Sequence, residues 1–297
     1  GKQLNVLVVK PLRALLVCAL SVYAVAPLIA SEREETESLR GGENANEYIA
    51  GVPYLDDRPD TVARLRPQPP DIRYARAVAL LDFDGGTLLY GRNHTEPLIP
   101  ASLTKLVTMY TAYRAWQDGR FNLDRPEAVH SDAWASVMPA GSSLMFLGPD
   151  QVVDGIDLFR GLVVSSGNDA AVEVSIRVAG SVDSFVREMN ETVRALGYSD
   201  MYFADPAGLS SDNRVTAESF ARFTAHLLRE WPTELTRIFQ MRTFSYPQSR
   251  HYPQSEIART PIVQHNRNTL LDTYAGADGF KTGYIDESGY NLAVTAR

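Results

Sequence analysis

An α+β fold is predicted from three observations. Strand-like runs with alternating apolar residues open the ordered part of the chain, helical periodicity fills its middle, and two further strand-like runs close it. Strands at both ends with helices between them suit one sheet in which the two ends of the domain meet.

Ordered periodicity begins near Ala75. Ala77–Phe83 and Thr87–Tyr90 read as two strands joined at Gly85-Gly86, a hairpin signal. Pro97 and Pro100 precede a helix starting near Ala101, where proline is well tolerated. Leu106, Val107, Tyr110 and Tyr113 continue its buried face. Ile156–Val164 and Asp169–Val178 read as helices meeting at Ser165-Ser166-Gly167-Asn168. Val182–Leu196 is amphipathic, and Ala217–Glu230 is a further helix with Thr216 as its N-cap. Phe203–Asn213 between them is a loop containing Asp205-Pro206 and Gly208. Gly279–Tyr284 and Tyr290–Ala296 are the closing strands. One local oddity is a tandem duplication, Tyr246-Pro247-Gln248-Ser249 followed by Tyr252-Pro253-Gln254-Ser255, too short for a structural repeat.

The chain has 297 residues, 44% of them hydrophobic and 22% charged, the balance of a globular protein with a sizeable core. Residues 1–30 differ. Lys2, Lys10 and Arg13 precede an uncharged run from Ala14 to Ala30, the layout of a secretory signal peptide, with cleavage sites at Ala24-Val25-Ala26 or Ala30. An uncleaved anchor is the alternative, since the run is near the lower limit of about 17 residues for spanning a bilayer. Residues 31–72, charged and rich in Pro and Gly, read as a disordered spacer ahead of a catalytic domain over 73–297. The only cysteine, Cys18, lies in the signal-like segment, and the residues before it are not those of a lipoprotein signal, so the exported part has no disulfide or cysteine metal site. Without residues 1–30 there are 26 basic and 36 acidic residues, a net charge of −10 that argues against nucleic acid as a partner. His94, His130, His226, His251 and His265 are scattered with no zinc-binding spacing, so no metal is expected.

Past residue 30 the chain has two lysines, Lys105 and Lys281, against 24 arginines. Of the two residue types only lysine can shed its proton at reachable cost, so a base is the chemical reason for keeping it. Ser102 and Lys105 are i and i+3 at a helix start, on one face and able to touch. Serine needs such a base to become a nucleophile, and burial, a second cation and the positive end of the helix dipole all lower a lysine's pKa. Ser166-Gly167-Asn168, between two helices, offers a proton relay in Ser166 and an amide to hold a substrate in Asn168. Lys281-Thr282-Gly283 lies on a strand, where alternation sends Lys281 and Gly283 to one face and Thr282 to the other, and the glycine permits close approach of a ligand. Each motif alone has an ordinary reading, respectively a capped helix start, a capped helix break and an exposed strand end.

Together and in this order, the three motifs resemble those of the penicillin-recognising serine enzymes. The Ser-Gly-Asn form of the middle motif is typical of the low-molecular-mass D-alanyl-D-alanine carboxypeptidases. Pro100–Lys105, Gly141–Leu147, Gly161–Ala170 and Asp278–Tyr284 also look like that family, and the resemblance covers residues 75–297. It implies a β-lactamase/transpeptidase-like fold, with a central antiparallel sheet flanked by helices and a helical subdomain. It also implies no cofactor, a peptidoglycan stem peptide as substrate, β-lactams as covalent inhibitors, and an exported protein with possible association with the inner membrane. The roles implied are Ser102 as acylated nucleophile, Lys105 as general base, Ser166 with Lys281 as proton relay, and Asn168 as substrate holder. The backbone N–H groups of Ser102 and Tyr284 would form the oxyanion hole, and Thr282 and Arg267 would bind the peptide's terminal carboxylate.

Three departures stand out: a long Tyr246–Pro261 loop, the 31–72 spacer, and an end at Arg297 within a strand pattern, which predicts a truncated sheet with an unpaired edge. The rivals are a D,D-endopeptidase, a serine β-lactamase and an inactive peptidoglycan-binding homologue. Against the β-lactamase, Met201–Asn213 offers no glutamate for deacylation, and its Asp205 precedes a proline as turn residues do. Against the inactive module, all of Ser102, Lys105, Ser166 and Lys281 are present.

Overall fold

The hairpin expected around Gly85-Gly86 forms as β3 (Ala75–Asp82) and β4 (Leu88–Arg92), closed by Asp82, whose carbonyl accepts from the Gly86 N–H at 3.0 Å. The computed structural model describes residues 4–10, 47–49, 74–255 and 259–297. The signal and spacer assignments fall outside the described residues, except where they include β1 (Leu4–Lys10) and β2 (Glu47–Ile49).

Six strands form the main sheet in the order β2, β4, β3, β1, β10, β9, where β9 is Ala277–Ile285 and β10 is Gly289–Ala296. Pairing is antiparallel except at β1, which runs parallel to both β3 and β10. The sheet is therefore mixed, where the sequence pointed to an antiparallel one. The open edge expected beside the last strand is filled as well: Val6 stands opposite Val78 on one side and Leu292 on the other. Side chains alternate as a two-residue period requires. Ala77, Ala79 and Leu81 of β3 and Ala293 of β10 face the main core, whereas Leu292 and Val294 pack with Leu270 in a second cluster.

Helix α1 (Thr104–Gln117) is buried on nearly every side, Thr104 through Tyr113 without a break, the mark of a helix inside a domain rather than on its surface. After the short pair β5 (Glu127–Ala128) and β6 (Val152–Val153) come α2 (Gly155–Arg160), α3 (Asn168–Ala179) and α4 (Val182–Ala195). Helices α3 and α4 pack on α1, while α5 (Ala217–Glu230) packs on β1 and β3. The N-cap read for Thr216 is present as a capping box, its Oγ1 accepting from the Ser219 N–H and the Ser219 Oγ accepting from the Thr216 N–H. The duplicated segment starts at the last residue of β7 (Thr243–Tyr246) and runs on as a loop with a short turn at Ser249–His251; β7 pairs with β8 (Ile262–His265) in a second small sheet, before the short α6 (Leu270–Thr273).

Candidate active site

Ser102 sits on a tight turn, Ala101–Leu103, that runs directly into α1. The turn is pressed from two sides. Gly208 lies against it so closely that a Cβ there would overlap the Ala101 carbonyl, and a Cβ on Gly283 of β9 would stand 2.9 Å from Ser102 N and 3.0 Å from Pro100 O. Ala101 itself has φ 48°, a left-handed conformation that costs a non-glycine residue about 1–3 kcal/mol and persists only where its surroundings enforce it. The close approach that Gly283 allows in this structure is to the nucleophile's own backbone.

Three turns of chain converge on Lys105. Its Nζ donates to Ser102 Oγ at 3.0 Å, to Asn168 Oδ1 at 2.8 Å and to the Ala207 carbonyl at 2.6 Å. The side chain is wholly buried, and its pKa is lowered from 10.5 to about 7. Burial is the main cause; the charges of Asp205 and Asp169 oppose it and that of Arg267 adds to it. Asp205 is itself occupied as a turn former: Oδ1 accepts from the N–H groups of Ala207 and Gly208 at 2.7 Å each, and Oδ2 from that of Ser210. This confirms the turn reading of Asp205 and places the Ala207 carbonyl against the lysine.

The second lysine meets the second serine. Lys281 Nζ donates to Ser166 Oγ at 3.0 Å and to the Thr282 carbonyl at 2.7 Å. Helix α2 delivers Ser166 through a widened turn, Gly161–Ser165, after which Ser166 adopts φ 54°; such π-type turns gather at functional sites. Lys281 stands opposite Ala293 in register and so projects from the helix-bearing face of the sheet. Its pKa is well below 10.5 because of burial, then the Lys105 and Arg267 charges. Thr282, on the alternate position, is partly exposed and brings its carbonyl to the cluster.

The outer residues frame the cleft. Arg267 is exposed and donates to Ser143 Oγ at 3.1 Å, and its charge reaches both lysines. Tyr284 is 37% exposed, hydrogen-bonded to Asp286 and packed on the Tyr290 ring at 4.7 Å; it follows Gly283, so its backbone enters the strand segment that lies on Ser102. Sequence reasoning missed Asp169. Buried beside Asn168, its carboxylate accepts from the N–H groups of Met145, Phe146 and Leu147, and the Asn168 N–H donates to the Ser143 carbonyl. Residues 143–147 are thereby fixed as a wall against the start of α3, with Arg267 beside it at Ser143. The adjacency Asn168-Asp169 was visible, but a carboxylate in a first helical turn reads as a cap.

Residues 63–297 match the D-alanyl-D-alanine carboxypeptidase family. The chain is 35% identical over 257 residues to D-alanyl-D-alanine carboxypeptidase DacA of Escherichia coli, covering 85% of this chain and 56% of that protein. Among solved structures, penicillin binding protein 5 from Haemophilus influenzae superposes with a TM-score of 0.68 at 34% identity, over 77% of this chain and 62% of that one. Penicillin binding protein 6B from Escherichia coli gives 0.67 at 34% identity, over 77% and 68%. The chain spans little more than half the length of the first of these. Two serine–lysine pairs on one cleft, the matching fold and the extent of these matches place the chain in the D-alanyl-D-alanine carboxypeptidase family.

Proposed function

We propose that this chain carries the acylating site of an exported serine D-alanyl-D-alanine carboxypeptidase, which removes the terminal D-alanine from peptidoglycan pentapeptide stems and is blocked covalently by β-lactams. The observation that carries the reading is the 3.0 Å contact between Lys105 Nζ and Ser102 Oγ, with an amine depressed to about 7. Ser102 Oγ attacks the carbonyl of the penultimate D-alanine while its proton passes to the neutral Lys105 amine. The backbone N–H groups of Ser102 and Tyr284 receive the developing oxyanion. As the C–N bond breaks, Ser166, paired with Lys281, passes a proton to the departing D-alanine amine and is replenished by the proton that Lys105 took from Ser102, which leaves Lys105 neutral again. Water then cleaves the ester and Ser102 regains its proton. Asn168 holds the substrate amide; Arg267 and Thr282 take its terminal carboxylate.

Location follows from the same reading. Residues 1–30 act as the export signal, 31–72 as the spacer and 73–297 as the catalytic domain, held at the outer face of the cell membrane where stem peptides lie. Among the described residues no helix is long and apolar enough to cross a membrane.

The test labels purified protein with fluorescent penicillin, comparing wild type with Ser102→Ala, and follows D-alanine release from a pentapeptide. A stable label on wild type, none on the variant, and release of free D-alanine are expected. A folded wild type that takes no label overturns the acyl-enzyme. A label lost within seconds would point to a β-lactamase, and cleavage restricted to cross-linked dimers to an endopeptidase.

A further inference from the structure

Both tyrosines of the duplicated segment reach the same buried side chain. Tyr246 Oη donates to Gln151 Oε1 at 2.6 Å, and Gln151 Nε2 donates to Tyr252 Oη at 2.9 Å. Gln151 then uses its remaining capacity on the wall of the cleft: Oε1 accepts from the Gly148 N–H at 3.0 Å and Nε2 donates to the Phe146 carbonyl at 3.2 Å. The amide is 5% exposed and its hydrogen bonds link the duplicated segment to this wall. Phe146, at the tip of the wall, has φ 74° and a partly exposed ring, a conformation that needs external support. Asp169 supplies that support by accepting from the Phe146 N–H and Gln151 by donating to the Phe146 carbonyl.

Two further contacts come from strand β8 and from the stretch between the two copies. Gln264 of β8 donates to the Leu144 carbonyl at 3.0 Å. His251, between the two copies, is buried with Nε2 at 2.9 Å from Asp157 Oδ2 of α2, while its Nδ1 accepts from the Gln248 N–H, which assigns the proton to Nε2. Arg250 also pairs with Asp157. Helix α2 leads to Ser166, so the duplicated segment braces both the 143–148 wall and the approach to the second serine.

We infer that the duplicated Tyr-Pro-Gln-Ser segment is a positioning element for substrate: Tyr246 and Tyr252, acting through Gln151, set the 143–148 wall against which the acyl part of the stem peptide lies. This rests on the peptidase reading of the same site. Gln151, Tyr246 and Tyr252 do not contact Ser102 or either lysine; they act on KM through the wall, and the chemical step is left to the serine–lysine pairs.

The experiment uses the full chain with Gln151→Leu, Tyr252→Phe and the double variant, each titrated with labelled penicillin to count active sites. For a pentapeptide substrate, KM rises about fivefold in each single variant, the scale of one lost buried hydrogen bond, while kcat per labelled site is unchanged. Because both act through one contact, the double variant shows little more than either single. Unchanged KM in both singles, effects that simply add, or a loss confined to melting temperature would overturn the proposal while leaving the peptidase reading intact. A wild type inert to penicillin and pentapeptide alike overturns the peptidase reading first, and this proposal with it.

Discussion

Burial removes the water that would hold a proton on Lys105, while Asp205 and Asp169 act to keep it there, and the amine settles at about pKa 7. A general base must be unprotonated, so acylation depends on the fraction of neutral amine. Below pH 7 that fraction falls about tenfold per unit, and the acylation rate measured with labelled penicillin is expected to fall with the same slope; a flat profile between pH 5 and 7 would remove Lys105 from the role. Lys281 is also held low, by burial and then by its cationic neighbours Lys105 and Arg267. A guanidinium keeps its charge wherever it is placed. Lys105→Arg and Lys281→Arg are therefore both expected to lose acylation by at least about a hundredfold, on the scale of a proton-transfer residue, measured as second-order labelling rates. Retention of most activity in Lys281→Arg would show that a permanent positive charge at this position is enough for acylation.

The turn Ala101–Leu103, the loop Phe203–Asn213 and strand β9 meet at two glycines, and the spacing of the site depends on how closely they approach. Gly208 has φ 85° and touches the Ala101 carbonyl, so Gly208→Ala meets both a conformational penalty and a steric one. It is expected to lower the melting temperature and abolish penicillin labelling, whereas Thr216→Ala, which breaks the capping box of α5 away from the site, costs about 1 kcal/mol of stability and leaves labelling unchanged. Much of this layer was legible in sequence. Local signals such as Thr216, the Gly85-Gly86 hairpin and the i, i+3 spacing of Ser102 and Lys105 translate directly into structure, because they act within a few residues. Asp169, Gln151 and the Ala207 carbonyl were not legible. Their partners lie far along the chain, and a buried acid or amide shows no sequence pattern that separates it from a cap or a loop residue. The parallel pairing of β1 was hidden for the same reason, since strand neighbours are set by the whole sheet.

At the level of the molecule, the sheet is the frame that keeps the K-T-G strand at its distance from α1, and β1 is an interior strand of it, between β3 and β10. Leu4–Lys10 pairs with β3 on one side and β10 on the other, yet the same residues belong to the segment assigned to export. One stretch of chain thus has two employers. Removal of residues 1–30 withdraws a strand from between two others, leaving a gap of roughly two strand spacings, about 9.6 Å. Amides of Val78–Asp82 and Leu292–Thr295 are then expected to exchange with solvent at least tenfold faster than in the intact chain, read by hydrogen exchange with mass spectrometry; equal protection would show that β1 carries no share of the frame. If residues 1–30 leave as an export signal, two rows of backbone donors and acceptors that the intact chain satisfies would have to find new partners, and the frame under the K-T-G strand would be rebuilt at that step.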